Sequence, residues 1–198
     1  MSSRVLILLL GLLAHMVRAQ HAPATLAELV ESAGTIVAGR VLEVREEPHS
    51  QYPSLIVTRV TLAIERAFKG NVRERSFTFF QIGSSKTLRP FHLPSYREGE
   101  QVVLFLYPES PYGLTSPVAG AAGIFRIFRD PQTKRRLVVN GFENAGLFEG
   151  LASARVTLSA AERTLIAHHV RGPIEYETFA ALLMRWVNAS RSSGGSVP

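Results

Sequence analysis

In the middle of the chain, residues 101–107 (QVVLFLY) form a near-continuous apolar run. A run this short, bounded by turn formers, reads as a strand buried on both faces. It is the natural centre of a sheet, and the segments around it supply neighbours. Residues 35–46 (TIVAGRVLEVRE) place Val37, Gly39, Val41 and Glu43 on one side of a strand and Ile36, Ala38, Arg40, Leu42 and Val44 on the other. Gly39 in mid-strand marks a bend or a close backbone approach. Residues 55–68 give a long strand with Ile56, Thr58, Val60, Leu62 and Ile64 on one face, and residues 75–82 (RSFTFFQI) give a third. Residues 124–128 and 136–140 form a hairpin around the turn 130–133. Residues 47–54, 83–99 and 108–123 read as loops, rich in proline or glycine.

Helical spacing occurs at three places. Leu26, Leu29 and Val30 lie in residues 25–33, where Thr25 and Glu28 have the spacing of a capping box. A second helix covers residues 159–170, with Ser159 and Glu162 as the corresponding pair. A third covers 176–187, with an apolar stripe of Phe179, Leu182, Leu183 and Trp186. From Asn188 onward the Ser/Gly-rich sequence reads as a disordered tail, residues 188–198. The expected organisation is a single domain over 20–187, with residues from about 158 forming a helical appendage.

The first nineteen residues indicate a compartment. Arg4 supplies a positive charge, Val5 to Leu13 are apolar without interruption, and Ala19 closes a small-residue cleavage pattern. This is the layout of a secretory signal peptide, so the expectation is export to the periplasm or the extracellular space. The apolar run is shorter than the roughly 20 residues needed to span a bilayer, and no later run is longer. After cleavage no transmembrane segment is expected. The chain has no cysteine, so an exported form has no disulfides and depends on burial and sheet hydrogen bonds.

The net charge is +6, and +4 without Arg4 and Arg18. The basic residues are scattered, with one short cluster at Lys134, Arg135 and Arg136 beside a turn. That distribution is the pattern of a solvated face and argues against nucleic acid. A binder of anionic polymers through arginine-rich strands is a weaker alternative.

The usual catalytic patterns are missing from the sequence. No two of the histidines His21, His49, His92, His168 and His169 have the i,i+4 spacing of a helical zinc site. On a helix, the adjacent His168 and His169 diverge by about 100°, which predicts one packed and one solvated ring. Asp130 is the only aspartate and sits in a turn, there is no G-x-S-x-G elbow, and no phosphate-binding glycine loop occurs. These readings predict no catalytic residue, no metal and no cofactor. The long loops are a different matter, because they carry aromatic residues among prolines. Such loops lose little entropy on binding and offer rigid contact area. Phe91, His92, Tyr96 and Tyr112 are therefore the candidate binding-loop residues.

The segments 35–45 (TIVAGRVLEVR), 57–70 (VTRVTLAIERAFKG), 99–106 (GEQVVLFL) and 123–127 (GIFRI) together resemble a group of exported bacterial proteins. Those proteins are similar in turn to the netrin/TIMP-type OB-fold domains. The resemblance covers about residues 33–140 and implies a five-stranded closed barrel with added helices. TIMP-type inhibition works through an N-terminal cysteine, and with no cysteine here that activity does not carry over.

The expected fold is therefore mainly β, an OB-like closed or partly open barrel of five to six strands with one N-terminal and two C-terminal helices. The expected function is that of an exported, non-enzymatic binding or accessory module, with another exported protein as the candidate partner. The alternative is a hydrolase whose site joins His92 to Glu98 or Glu100.

Overall fold

The structure, a computed structural model, describes residues 24–83, 95–151 and 156–193. Among these residues are seven strands: β1 (Thr35–Pro48), β2 (Ile56–Lys69), β3 (Ser76–Ile82), β4 (Gln101–Leu106), β5 (Ile124–Arg129), β6 (Arg136–Asn140) and β7 (Ile174–Glu175). Three helices accompany them: α1 (Leu26–Ser32), α2 (Ala160–His168) and α3 (Tyr176–Ser193). The strands form one sheet in the order β3-β2-β1-β4-β5-β6-β7. Every neighbouring pair is antiparallel. The mainly β class is as expected, but the sheet is not closed into a barrel and has seven strands rather than five or six. The additional strand, β7, is two residues long and runs directly into α3, too short for alternation to show.

Strand β4 explains the layering. Val102, Leu104 and Leu106 point to one face, and Val103 and Phe105 to the other. All five side chains are buried, so the run has no polar alternation. On the first face Ile36, Ala38, Phe105, Phe125 and Val138 meet α1 through Leu26, Leu29 and Val30, and α3 through Phe179, Leu182, Leu183 and Val187. On the second face Val37, Val41, Val60, Leu62 and Phe79 pack with the remaining β4 residues, without a helix. Each fully buried aliphatic side chain contributes on the order of 1.5–3 kcal/mol.

The long β1–β2 hairpin shapes the second face. β1 pairs with both β2 and β4 from Ile36 to Arg40, and beyond Val41 with β2 alone. Its far end, with residues 49–55 at the tip, therefore projects past β4. Register shifts at Ile36/Val37, Ala38/Gly39 and Val41/Glu43 increase the local twist. A Cβ at Gly39 would collide with the Ala63 carbonyl oxygen. This is the close backbone approach that the mid-strand glycine implies.

Both expected capping boxes form. Glu28 N–H donates to Thr25 Oγ1 at 3.2 Å and Thr25 N–H to Glu28 Oε2 at 2.8 Å. In α2, Glu162 N–H donates to Ser159 Oγ at 3.2 Å, and Ser159 N–H to Glu162 Oε2 at 2.6 Å. The Glu162 carboxylate also takes Arg185 Nε of α3 at 2.9 Å, which ties the two helices together. The boundary expected at Asn188 is displaced, because α3 continues to Ser193. Arg191 in that extension donates to the Phe68 carbonyl at 3.2 Å, so part of the expected tail caps the end of β2. Residues 194–198 lie outside the described residues.

Candidate interaction surface

Of the four candidate binding-loop residues, Phe91 and His92 lie outside the described residues. Tyr96 is a correction. Its side chain is only 7% exposed and belongs to the second core, edge-to-face with Phe79 at 5.6 Å. Its hydroxyl donates to Gln81 Oε1 at 3.4 Å, and burial pushes the phenol far above its ordinary pKa. Tyr96 is therefore a core plug, not a contact residue. Tyr112 differs, with 55% of its side chain exposed.

Tyr112 belongs to a cluster from two loops. Its ring lies edge-to-face with that of Tyr52 at 5.7 Å, and Tyr52 stacks on His49 at 5.4 Å. His49 is buried at the end of β1. Its Nδ1 accepts from the backbone N–H groups of Gln51 and Tyr52, both at 3.2 Å. That leaves the ring proton on Nε2, which donates to the Tyr112 carbonyl at 2.9 Å. One imidazole thus satisfies groups in both the 49–55 tip and the 108–116 loop. The loop is held from its other side too. Thr115 N–H donates to the Phe80 carbonyl at 2.9 Å, Tyr107 N–H to Ser116 O at 3.0 Å, and Val118 N–H to Phe105 O at 2.8 Å. Gly113, at φ +73°, turns the chain back in the left-handed region where other residues are strained.

Among the described residues, the two segments that meet here carry aromatic rings and little charge. Tyr52 is 48% exposed; Ile56 and Ile82 are also exposed at this end of the sheet, but on opposite faces, because Ile82 pairs with Val57. Residues 48–58 contain no Asp, Glu, Lys or Arg, and residues 107–123 contain only Glu109. His49 and Tyr52 are the residues that sequence reasoning missed. Their segment, PHSQYPS, has the same signature of an aromatic between prolines that marked the two longer loops.

The hydrolase alternative needs His92, which lies outside the described residues, so only its carboxylate partners are placed. Glu98 Oε1 accepts from Val44 N–H at 3.3 Å. Glu100 accepts from Arg97 N–H at 3.0 Å and from Arg126 Nε at 3.3 Å. Both carboxylates thus tie loop to strand. His168 is exposed, while His169 lies edge-to-face on Phe148 at 5.4 Å, the split the spacing predicts. Among the described residues no group of three acidic or histidine side chains is placed to hold a metal ion. The basic cluster divides: Lys134 and Arg135 are exposed, but Arg136 turns inward onto Glu65 and the Tyr176 ring. A shallow cavity of about 350 Å³ lies at the β2–β3 turn between Asn71 and Thr78, with Arg73 and Glu74 on its wall. Among the described residues no helix is long and apolar enough to cross a membrane.

No protein-family model matches the chain, and no curated protein matches it either.

Proposed function

We propose that this protein is an exported, non-enzymatic binding or accessory module that makes contact through the Tyr52–Tyr112 end of its sheet. The observation that carries this reading is the rigid display of two half-exposed aromatic rings over an imidazole whose hydrogen-bonding atoms are all used. Exposed tyrosines held in one geometry give contact area at small entropic cost. The leader-like first nineteen residues support export, and the OB-like barrel reading remains the interpretation of the twisted β1–β2–β3 end. The hydrolase alternative would have to draw Glu98 Oε1 or Glu100 away from the backbone and arginine donors they now serve.

The test has two parts. N-terminal sequencing of exported material should begin at Gln20, and Met1 on membrane-bound protein would contradict export. Immobilised mature protein should retain a component of the exported fraction that the Tyr52→Ser/Tyr112→Ser variant loses. Identical retention by the two proteins would contradict the proposed surface.

A further inference from the structure

We propose that Asn140–Gly141 is a latent deamidation site, sealed by the native fold, whose conversion in the opened chain detaches the C-terminal helices. The inference is independent of the binding reading.

The sequence supplies the hazard. The chain has four asparagines, Asn71, Asn140, Asn144 and Asn188, and only Asn140 precedes a glycine. In an asparagine–glycine pair no side chain shields the following backbone nitrogen. That nitrogen loses its proton and attacks the asparagine Cγ, and ammonia leaves with Nδ2. Water then opens the five-membered imide to aspartate or isoaspartate. The balance is amide plus water to acid plus ammonia, with no oxidant or reductant. Val72 covers the corresponding nitrogen after Asn71 with a branched side chain, and alanines follow Asn144 and Asn188.

The fold supplies the seal, because both reacting groups are engaged. Asn140 ends β6 and is only 6% exposed. Its Oδ1 accepts from Phe142 N–H at 3.0 Å and Asn144 N–H at 2.8 Å, and its Nδ2 donates to the Ala122 carbonyl at 3.2 Å. The attacking nitrogen, that of Gly141, donates to the Ala121 carbonyl at 3.0 Å. That bond favours the protonated form and so opposes the first step. Glycine is needed here for packing, since a Cβ at 141 would stand 2.6 Å from the Ala121 Cβ. The close approach that requires glycine is also what leaves Asn140 vulnerable once the turn opens.

The same turn holds the C-terminal helices. Fully buried Asn144 accepts from Asn140 N–H on Oδ1 at 2.9 Å, and its Nδ2 donates to the carbonyls of Val138 at 3.0 Å and Gly172 at 2.9 Å. Gly172 N–H returns to the Glu143 carbonyl at 2.7 Å. Gly172 lies between α2 and β7, so the turn fixes the segment that leads into α3. Aspartate at 140 has no donor for the Ala122 carbonyl and sets a buried charge against it. Isoaspartate lengthens the backbone at the start of the turn. Either product breaks the tie, and an opening long enough for the reaction becomes irreversible.

The experiment incubates purified protein at mildly alkaline pH in buffer and in concentrated urea, and maps the tryptic peptide 137–155 by fragmentation in a mass spectrometer. In urea, Asn140 should convert faster than Asn71, Asn144 or Asn188. In buffer its conversion should be at least about a hundredfold slower, because the reaction follows the population of the opened state. Trp186, the only tryptophan, packs against the helical core and reports detachment. Asn140→Asp should show red-shifted Trp186 emission and a lower urea midpoint, while Asn71→Asp in the exposed β2–β3 turn should match wild type. Equal rates in buffer and urea, or faster conversion of another asparagine in urea, would overturn the sealed site. Wild-type emission and midpoint in Asn140→Asp would overturn the detachment. Loss of the sheet signal in circular dichroism would overturn it too, because the damage would then be global rather than confined to the helices.

Discussion

Arg136 on β6 and Glu65 on β2 meet fork to fork, with both nitrogen–oxygen distances at 2.7 Å, although three strands separate β6 from β2 in the sheet. The sheet must therefore curl, and α3 lies in the curl. The Arg136 guanidinium sits 4.1 Å from the centroid of the fully buried Tyr176 ring at the start of that helix. The Glu65 hydrogen bonds, strengthened by its charge, hold Arg136 above the ordinary arginine pKa despite partial burial. The pair is a clasp on the helical core.

Breaking the clasp should cost more than a solvated pair. Arg136 is about a quarter exposed and loses both the carboxylate and the ring contact when truncated. Arg136→Ala should therefore destabilise by about 1–3 kcal/mol. A double-mutant cycle with Glu65→Ala should show favourable coupling. Additive effects would mean the two residues act independently.

Phe105 is fully buried and touches Phe125 at 5.4 Å, beneath α3. Phe105→Ala should cost about 3–5 kcal/mol, read from chemical denaturation. A midpoint close to wild type would show that the face under the helices is not the main core.

His169 makes stability depend on pH in a definite direction. Burial holds its folded-state pKa below the ordinary value of 6.5, partly offset by a hydrogen bond to the Asn144 backbone, and its buried Nε2 has no partner. The folded state thus binds fewer protons than the unfolded one. The contribution is complete above about pH 6.5 and is lost as pH falls from there through the folded-state pKa. Thermal midpoints of wild type and His169→Gln should converge as pH falls. A constant difference across that range would contradict this role.

His49 should be structural for the tip in a way that size alone does not replace. His49→Phe keeps an aromatic ring but leaves the N–H groups of Gln51 and Tyr52 and the Tyr112 carbonyl without their partner. A loss of about 1–3 kcal/mol is expected, with faster amide exchange at Gln51 and Tyr52. Wild-type exchange in the variant would show that other contacts hold the loops.

Much of the fold is legible locally. The continuous run of β4, the alternation of β1 and the capping pairs Thr25/Glu28 and Ser159/Glu162 each act within a few residues, so pattern reveals them. What escapes depends on distance. The curl sealed by Arg136 and Glu65 joins positions 71 residues apart, and nothing at either position announces the other. Tyr96 lies in a loop, yet its burial depends on Phe79 and Gln81 of another strand. The helical state of residues 188–193 likewise draws on Phe68. The candidate surface is half legible, since aromatic residues among prolines mark Tyr112. His49 escapes because its role is to join two loops, which no local pattern encodes.

In the proposed function, the Tyr52–Tyr112 end is the contact surface of an exported module. The decisive experiment places a photoreactive residue at position 112 of the full-length chain, expressed in its native envelope. One at Thr133, exposed in the distant β5–β6 turn, serves as the control. A discrete adduct is expected from position 112 on the mature, exported protein, and none from position 133. Equal labelling from both positions, or adducts confined to unexported precursor, would contradict it.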